Sequence, residues 1–233
     1  MTSNALNYWY PVAMCSGIHA PRDTLLLDEA ITLGRDGPSY WVRDASGKFL
    51  PTVVRYGHLW TSLGQPNREL FTIPEAEAPD RRLVDCGSVK VKCSPLRAVE
   101  NFLDIAHFPF VHTDILGAEP HTEVARYDVE IREDVNEVWA TRVKFSQPQA
   151  AQSADGGITT DYMYRVAAPT VAVLYKTCPP RPGEWDVITL FVQPLNEEWC
   201  EVWPWMALYD DTTLHAELVS FQQMIFMQDR SIL

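Results

Sequence analysis

The hydrophobic pattern has two different periods along the chain. Between about residues 120 and 210, apolar and polar residues alternate over long runs, a pattern typical of β-strands. Residues 124–131 and 138–145 predict a hairpin that turns at residues 133–136. Further strand regions are predicted at 161–176, 185–193 and 199–209, and the small polar residues 150–157 predict a loop.

The first 70 residues contain shorter strand-like runs. They lie at residues 7–13, 24–27, 40–42 and 56–63, with turn signals at 34–38 and 64–66. A polar, proline-bearing stretch at 72–82 follows them. We therefore predict a boundary there, with one domain at residues 1–74 and a second at 75–233.

A strand at residues 88–93 leads into the first predicted helix. Ser94 is a good N-cap and Pro95 suits the first helical position. The helix is expected to run to about His107, because Pro109 disfavours helical backbone in the residue before it.

A helical period returns at the end of the chain. Apolar residues recur there at three- and four-residue spacing, and Asp211 or Thr212 is the predicted cap. The stripe consists of Leu214, Leu218, Phe221 and Ile225. The order of elements predicts an α+β fold, with helices packed on one face of an antiparallel β-sheet.

Composition narrows the class of protein. A chain of 233 residues with 46% hydrophobic residues can bury a sizeable core, and a net charge of −12 argues against general nucleic-acid binding. No secretory signal or membrane span is apparent in the sequence. The five cysteines are odd in number and scattered, so we expect no disulfide framework and a cytoplasmic location.

Candidate metal ligands occur close together before residue 113. In the predicted helix, Asn101, Asp104 and His107 are three residues apart and would share a face. His112 lies beyond the proline, where the chain can curl back toward His107. Two neutral imidazoles suit Fe(II), Zn(II) or Cu(II), and a facial Fe(II) site needs one further carboxylate ligand.

Asp229 is the candidate for that carboxylate, because it continues the apolar stripe of the last helix. A buried, unpaired carboxylate is costly, and binding a cation removes the cost. The alternative is that this side chain, near the end of the helix, reaches into water. Asp104 could accept the free N–H of His107 or of a histidine across a subunit boundary, and Asn101 either supports the site or satisfies helix backbone. The predicted pocket residues are Phe110, Gln222 and Phe226. Structural roles are expected for His19, His58, His121 and His215.

These residues carry a family resemblance. Residues 100–112 (ENFLDIAHFPFVH) resemble the mononuclear-iron motif of the Rieske-type non-haem iron oxygenases, and residues 227–229 resemble the segment with the third ligand. The resemblance implies that His107, His112 and Asp229 bind iron in a helix-grip-like domain. It implies that Asp104 passes an electron from a neighbouring subunit's cluster. Residues 7–13 and 56–60 are similar to parts of the cluster domain, so residues 1–74 are expected to be its β-rich remnant.

The chain departs from the family where the Rieske cluster would bind. That cluster needs C-x-H and C-x-x-H pairs, and no cysteine here has a histidine two or three residues after it. No 2Fe-2S cluster is therefore expected. Residues 105–123 resemble the iron subunit of bacterial methylxanthine (caffeine-pathway) N7-demethylases that lacks its own Rieske centre. Family members extend further beyond the third ligand, so a truncated C-terminus is also expected.

This narrower resemblance implies a function. The chain would be a monooxygenase component that uses Fe(II) and O2 and receives electrons from NADH through a separate Rieske-containing reductase. It would N-demethylate a methylxanthine such as 7-methylxanthine and release formaldehyde. A trimer-based oligomer is implied as well.

Three alternatives remain open. The first is O-demethylation or ring hydroxylation of an aromatic compound, although an aromatic acid would need a basic pocket residue that the sequence does not place. The second is a non-catalytic subunit of a hetero-oligomeric oxygenase, against which the three intact ligand candidates count. The third is a zinc hydrolase, which lacks a general-base glutamate beside the histidines.

Overall fold

The computed structural model describes residues 5–148, 158–179 and 181–233. The predicted loop at 150–157 lies outside the described residues. The first six strands form two three-stranded antiparallel sheets, ordered β1-β6-β5 and β2-β3-β4. Their bounds are β1 (Tyr10–Met14), β2 (Arg22–Leu26), β3 (Glu29–Asp36), β4 (Ser39–Asp44), β5 (Thr52–Arg55) and β6 (His58–Thr61).

The predicted turn at residues 34–38 is wrong in its first half. Gly34 lies inside β3, opposite Trp41 of β4, and the chain turns only at Gly37 and Pro38. A Cβ at position 34 would lie 2.3 Å from Cζ2 of Trp41. Gly34 therefore allows the Trp41 ring to pack closely against β3. In the sequence alone, this glycine had been interpreted as part of a turn.

The remaining strands form one eight-stranded antiparallel sheet. Its order is β7-β14-β13-β12-β11-β10-β9, and β8 pairs with β14 beside β7. The predicted hairpin of β9 and β10 is confirmed, although β9 begins at Asp128 rather than at residue 124. The region 161–176 belongs to two strands that turn at Pro169 and Thr170. The bounds are β7 (Arg82–Asp85), β8 (Val89–Val91), β9 (Asp128–Arg132), β10 (Glu137–Gln147), β11 (Ile158–Ala168), β12 (Val171–Thr177), β13 (Trp185–Pro194) and β14 (Cys200–Leu208).

The central strands of this sheet are covered on both faces. Val173, Phe191 and Trp203 face the N-terminal half, where Trp60 and Leu70 pack on them. The alternate residues of the same strands face helices α1 (Pro95–Leu103) and α3 (His215–Asp229). The α+β fold with helices on one face is confirmed, and double coverage explains the nearly continuous apolar runs of β12–β14. The division of the chain near residue 74 stays a prediction.

The first helix is shorter than predicted. Helix α1 ends at Leu103, and Asp104 has extended backbone (φ −82°, ψ 122°). The carboxylate of Asp104 accepts the Ala106 N–H at 2.9 Å, which replaces the helical hydrogen bond. Pro109 then lies in the first turn of a separate short helix, α2 (Phe108–Val111), where its missing N–H costs nothing.

The start of the last helix also differs from the prediction. Helix α3 begins at His215, with Leu214 rather than Asp211 or Thr212 at the N-cap position, where its N–H donates to the Glu217 carboxylate. Asp210 accepts the N–H groups of Thr212 and Thr213 and holds those residues in a turn before the helix. Leu214 is therefore 68% exposed instead of joining the buried stripe. None of the helices in the described ranges is long and apolar enough to cross a bilayer.

Candidate metal centre

Three side chains from distant parts of the chain converge on the helical side of the sheet. Nε2 of His107 and Nε2 of His112 lie 3.2 and 2.8 Å from the same oxygen, Oδ1 of Asp229. The two ring nitrogens are 3.1 Å apart. His112 and Asp229 are buried and His107 is nearly so. The structure thus brings together the three residues that the sequence singles out as ligands.

Local turns place the two histidines. Because α1 ends at Leu103, Asp104 and His107 do not share a helix face, and that part of the prediction is wrong. His107 instead precedes α2, and one helical turn later the His112 N–H bonds to the Phe108 carbonyl. The turn carries both imidazoles toward the end of α3, where Asp229 is the last helical residue.

Outer hydrogen bonds fix the direction of the imidazole lone pairs. Nδ1 of His107 lies 3.2 Å from Oδ2 of Asp104, and Nδ1 of His112 lies 2.8 Å from Oε1 of Gln228. Both partners are acceptors, so each neutral ring carries its proton on Nδ1 and directs the Nε2 lone pair inward. Two lone pairs and a carboxylate then face one another, an arrangement that requires a proton or a cation between them.

The pKa shifts of Asp229 and His107 agree with a proton or a cation lying between these side chains. Burial raises the pKa of Asp229, but when protons rather than an ion occupy the Nε2 positions, hydrogen bonds from His107, His112 and Asn101 outweigh burial and hold it below its ordinary value. Burial lowers the pKa of His107, but its contacts with Asp229 and Asp104 outweigh burial and raise it. Asn101 is therefore buried beside the cluster and supports the carboxylate directly.

The three atoms have the spacing of metal ligands. Ligands at right angles, each about 2.1 Å from an ion, are about 3.0 Å from one another. The observed separations of 2.8, 3.1 and 3.2 Å match that value. Two imidazole nitrogens and one carboxylate on one side of an ion form the donor set of the facial non-haem Fe(II) sites, so His107, His112 and Asp229 fit that metal.

A cavity of about 80 Å³ adjoins the candidate metal centre. This is smaller than the roughly 300 Å³ and above of typical ligand pockets, so a bound substrate has to displace side chains. Two of the three predicted pocket residues, Gln222 and Phe226, line the cavity. Phe110 does not line it, because α2 turns this ring outward, where it is 66% exposed.

The comparisons with known proteins agree with the geometry. The sequence profile of the vanillate O-demethylase oxygenase C-terminal domain matches residues 91–233, which include the whole candidate centre. The chain belongs to this family. Its resemblance to the Rieske-type oxygenases, inferred from residues 100–112, is thereby confirmed.

A curated relative and two solved structures are similar to this chain. The protein described as probable methylxanthine N7-demethylase NdmC, from Pseudomonas sp. (strain TJI-51), is 49% identical over 178 residues; these cover 76% of this chain and 63% of that protein, just under two thirds of its length. Pseudomonas putida CBB5 NdmA with caffeine is 15% identical, with a TM-score of 0.80 over 97% of this chain and 81% of that one. Dicamba monooxygenase bound to dicamba is 17% identical, with a TM-score of 0.75 over 98% and 86%. The two structures establish the shared fold.

Several residues at the site are absent from the sequence-based prediction. Gln228 orients His112, and its only signal was its position beside Asp229. Tyr162, Tyr164 and Lys176 line the cavity from the sheet side. The alternation of side chains along each strand was the only indication of these residues. It places them on one face of β11 and β12, but the sequence did not say which face the site would occupy.

The remaining histidines stand away from the cluster. His58 is fully buried, and its ring packs against the edges of Phe191 and Trp203. His19, His121 and His215 are exposed at the surface. Within the described residues, the group formed by His107, His112 and Asp229 is the one in which three such side chains could hold a metal ion together.

Proposed function

We propose that this protein is the Fe(II)-binding component of an oxygenase that removes an N-methyl group from a methylxanthine, such as 7-methylxanthine. The convergence of two inward-facing imidazole lone pairs and Asp229 beside a cavity carries the proposal. The 49% identity to a probable methylxanthine N7-demethylase supports this choice of substrate class.

In this proposal His107, His112 and Asp229 hold the iron. Bound Fe(II) supplies activation of O2 once an electron is delivered. Asp104 and Gln228 keep the two Nδ1 atoms protonated, so that the Nε2 atoms are available as ligands. Asn101 donates to Asp229 and so favours its ionised form, and the apolar cavity walls exclude bulk water from the reacting methyl group.

The overall reaction balances with one reductant. An N-methyl group, O2, NADH and a proton give an N-hydroxymethyl group, water and NAD⁺. The C–N bond of the hydroxymethyl product then breaks, its hydroxyl proton is lost, and the products are formaldehyde and the demethylated N–H purine.

The electrons would come from a separate Rieske-bearing reductase. Asp104 is the proposed point of entry, because its side chain is 49% exposed and bonds directly to His107. Asp104 thus connects the candidate metal centre to the protein surface. The proposal includes a trimer-based assembly, implied by the family resemblance, and a Rieske-remnant role for residues 1–74.

A second candidate is O-demethylation of an aromatic acid. Two observations favour it: the description of the matching family, and the presence of Lys176 in the cavity wall, which supplies the basic residue that the sequence could not place. The test must therefore include both substrate classes.

The test is reconstitution under anaerobic conditions. The protein is loaded with Fe(II), mixed with a Rieske-bearing reductase and NADH, and exposed to O2 with 7-methylxanthine, theobromine, caffeine or 4-methoxybenzoate. Formaldehyde and the demethylated product are measured together. We expect formaldehyde in a one-to-one ratio with xanthine from 7-methylxanthine.

Two controls make the result decisive. Asp229→Asn should abolish product formation, whereas Asp211→Asn, which changes an exposed aspartate before α3, should retain it. Formaldehyde from 4-methoxybenzoate alone would favour the second candidate. Turnover of neither class by a protein that binds Fe(II) would contradict the proposal.

A further inference from the structure

The sheet side of the cavity carries a polar cluster within an apolar wall. Lys176 is 9% exposed and Tyr164 is 4% exposed, and both line the cavity. Tyr162 is the cross-strand partner of Lys176, and Tyr164 is the partner of Leu174 two residues away. The three side chains therefore share one face of β11 and β12, as direct and diagonal neighbours.

Two members of this cluster, Tyr162 and Tyr164, have unused hydrogen-bonding capacity. The hydroxyl of Tyr164 is buried and has no hydrogen-bond partner among the described residues. A buried donor left unsatisfied is destabilising, so such groups in a cavity commonly meet a ligand or water. Its ring stacks on Tyr162 with centroids 6.2 Å apart, which fixes the hydroxyl in place.

The charge of Lys176 is balanced within the sheet. Asp186 is its cross-strand partner on β13, and that carboxylate also accepts the Tyr209 N–H at 3.0 Å. Burial lowers the pKa of Lys176, and the attraction of Asp186 opposes that shift. Because the pair is close to neutral overall, a further full negative charge gains less here than an uncharged oxygen acceptor does.

We propose that Lys176 binds an exocyclic oxygen of the substrate and so positions the ring between the sheet and the candidate metal centre. The inference rests on the proposed function, and it identifies the preferred oxygen as the uncharged oxo group of a planar heteroaromatic ring. The xanthine ring has two such groups. The Tyr164 hydroxyl is a second donor within reach of the same face.

Binding measurements test this role without turnover. Calorimetry gives the affinity of the metal-loaded protein, under argon, for 7-methylxanthine and for 7-methylpurine, which lacks both oxo groups. Lys176→Met keeps the alkyl chain and removes the donors. We expect it to weaken 7-methylxanthine binding about tenfold or more, as loss of a charged hydrogen bond should, and to leave 7-methylpurine binding unchanged.

Lys144→Met is the matched control. Lys144 lies on β10, two strands away in the same sheet, is largely exposed and pairs with Asp161 at the surface. Its removal should alter neither affinity. An equal loss for both purines, or no loss for 7-methylxanthine, would overturn the role of Lys176.

The wild-type protein gives an answer even if Lys176→Met does not fold. If the protein binds an oxo group, the wild type should bind 7-methylxanthine more tightly than 7-methylpurine. Equal affinities for the two purines would refute the inference. Tyr164→Phe, which removes one hydroxyl, should reduce that preference by a smaller factor.

A third probe separates this inference from the proposed function. If 4-methoxybenzoate binds with dependence on Lys176 and the purines do not bind, Lys176 binds a carboxylate, and both the inferred oxo group and methylxanthine demethylation fail. If 7-methylxanthine binds with dependence on Lys176 but releases no formaldehyde in the reconstituted assay, the role of Lys176 stands and the proposed function fails. If 7-methylxanthine binds equally well to wild type and Lys176→Met, the role of Lys176 fails and the proposed function stands.

Discussion

Nε2 of His112 lies 2.8 Å from Oδ1 of Asp229, although 117 residues separate the two along the chain. The contact joins the C-terminal end of α2 to the last residue of α3. It makes the end of α3 part of the candidate metal centre, so a change there should alter metal binding as well as packing.

Replacement of Asp229 tests the metal centre directly. Asp229→Asn keeps the size of the side chain and removes its charge. We expect the wild type to bind one Fe(II) or Co(II) per chain and the variant to lose more than 100-fold in affinity, because the two imidazoles alone leave the ion without a charged ligand. Anaerobic calorimetry measures both. Asp211→Asn should bind like the wild type, and unchanged affinity in Asp229→Asn would contradict the ligand assignment.

Asp104 should act through His107. Asp104→Asn weakens the partner of Nδ1 while its remaining oxygen can still cap the Ala106 N–H. Loss of such an outer hydrogen bond typically lowers metal affinity about 10–100-fold. Asp114→Asn is the matched control, because Asp114 is exposed and has a positive φ of 64°, a conformation that asparagine tolerates. A Co(II) affinity equal to that of the wild type would exclude this role for Asp104.

A buried ion pair should contribute to stability on the opposite face of the sheet. Nε of Arg165 lies 2.8 Å from Oε2 of Glu137, which also accepts the Trp139 indole N–H at 3.0 Å. Arg165→Met leaves a buried carboxylate without its cation, at a cost of about 3–5 kcal/mol in the free energy of unfolding. Urea denaturation measures the loss.

A double variant and a surface control complete that experiment. Arg165→Met combined with Glu137→Gln should recover part of the stability, because no uncompensated charge remains. Arg97→Met removes the arginine of an exposed pair with Glu100 and should change stability little. Equal effects of Arg165→Met and Arg97→Met would contradict the prediction.

The thiols should differ in reactivity with pH. Burial raises the pKa of Cys86 to about 12 and that of Cys178 to about 11. A raised pKa keeps the thiol protonated, so at pH 8 only about one molecule in a thousand or fewer carries the reactive thiolate at either position. Ellman's reagent should therefore modify half-buried Cys15 first in the native protein.

The same reagent gives the control. All five thiols should react at pH 8 after unfolding in guanidinium chloride, and the native reaction at Cys86 should accelerate as the pH rises toward 11. Rapid modification of Cys86 in the native protein at pH 8 would refute the assignment.

Strand pattern and local capping could be predicted well where they depend on near neighbours. Alternation over residues 124–145 identified the β9–β10 hairpin, and Ser94 with Pro95 identified the start of α1. The end of α1 was misplaced because the side chain of Asp104 competes with the helix for a backbone N–H. Gly34 was misread because its role depends on Trp41 of the next strand.

The sequence by itself determined the α+β class, the family resemblance, and the choice of His107, His112 and Asp229 as candidate ligands. These follow from residue type and spacing, which any segment of chain carries with it. Only the tertiary structure decided that Gln228 orients His112, that Phe110 faces away, and that Lys176 lines the cavity. Those facts depend on which face of a strand or turn meets another element, and packing of the helices on the sheet settles that choice only once the whole domain has assembled.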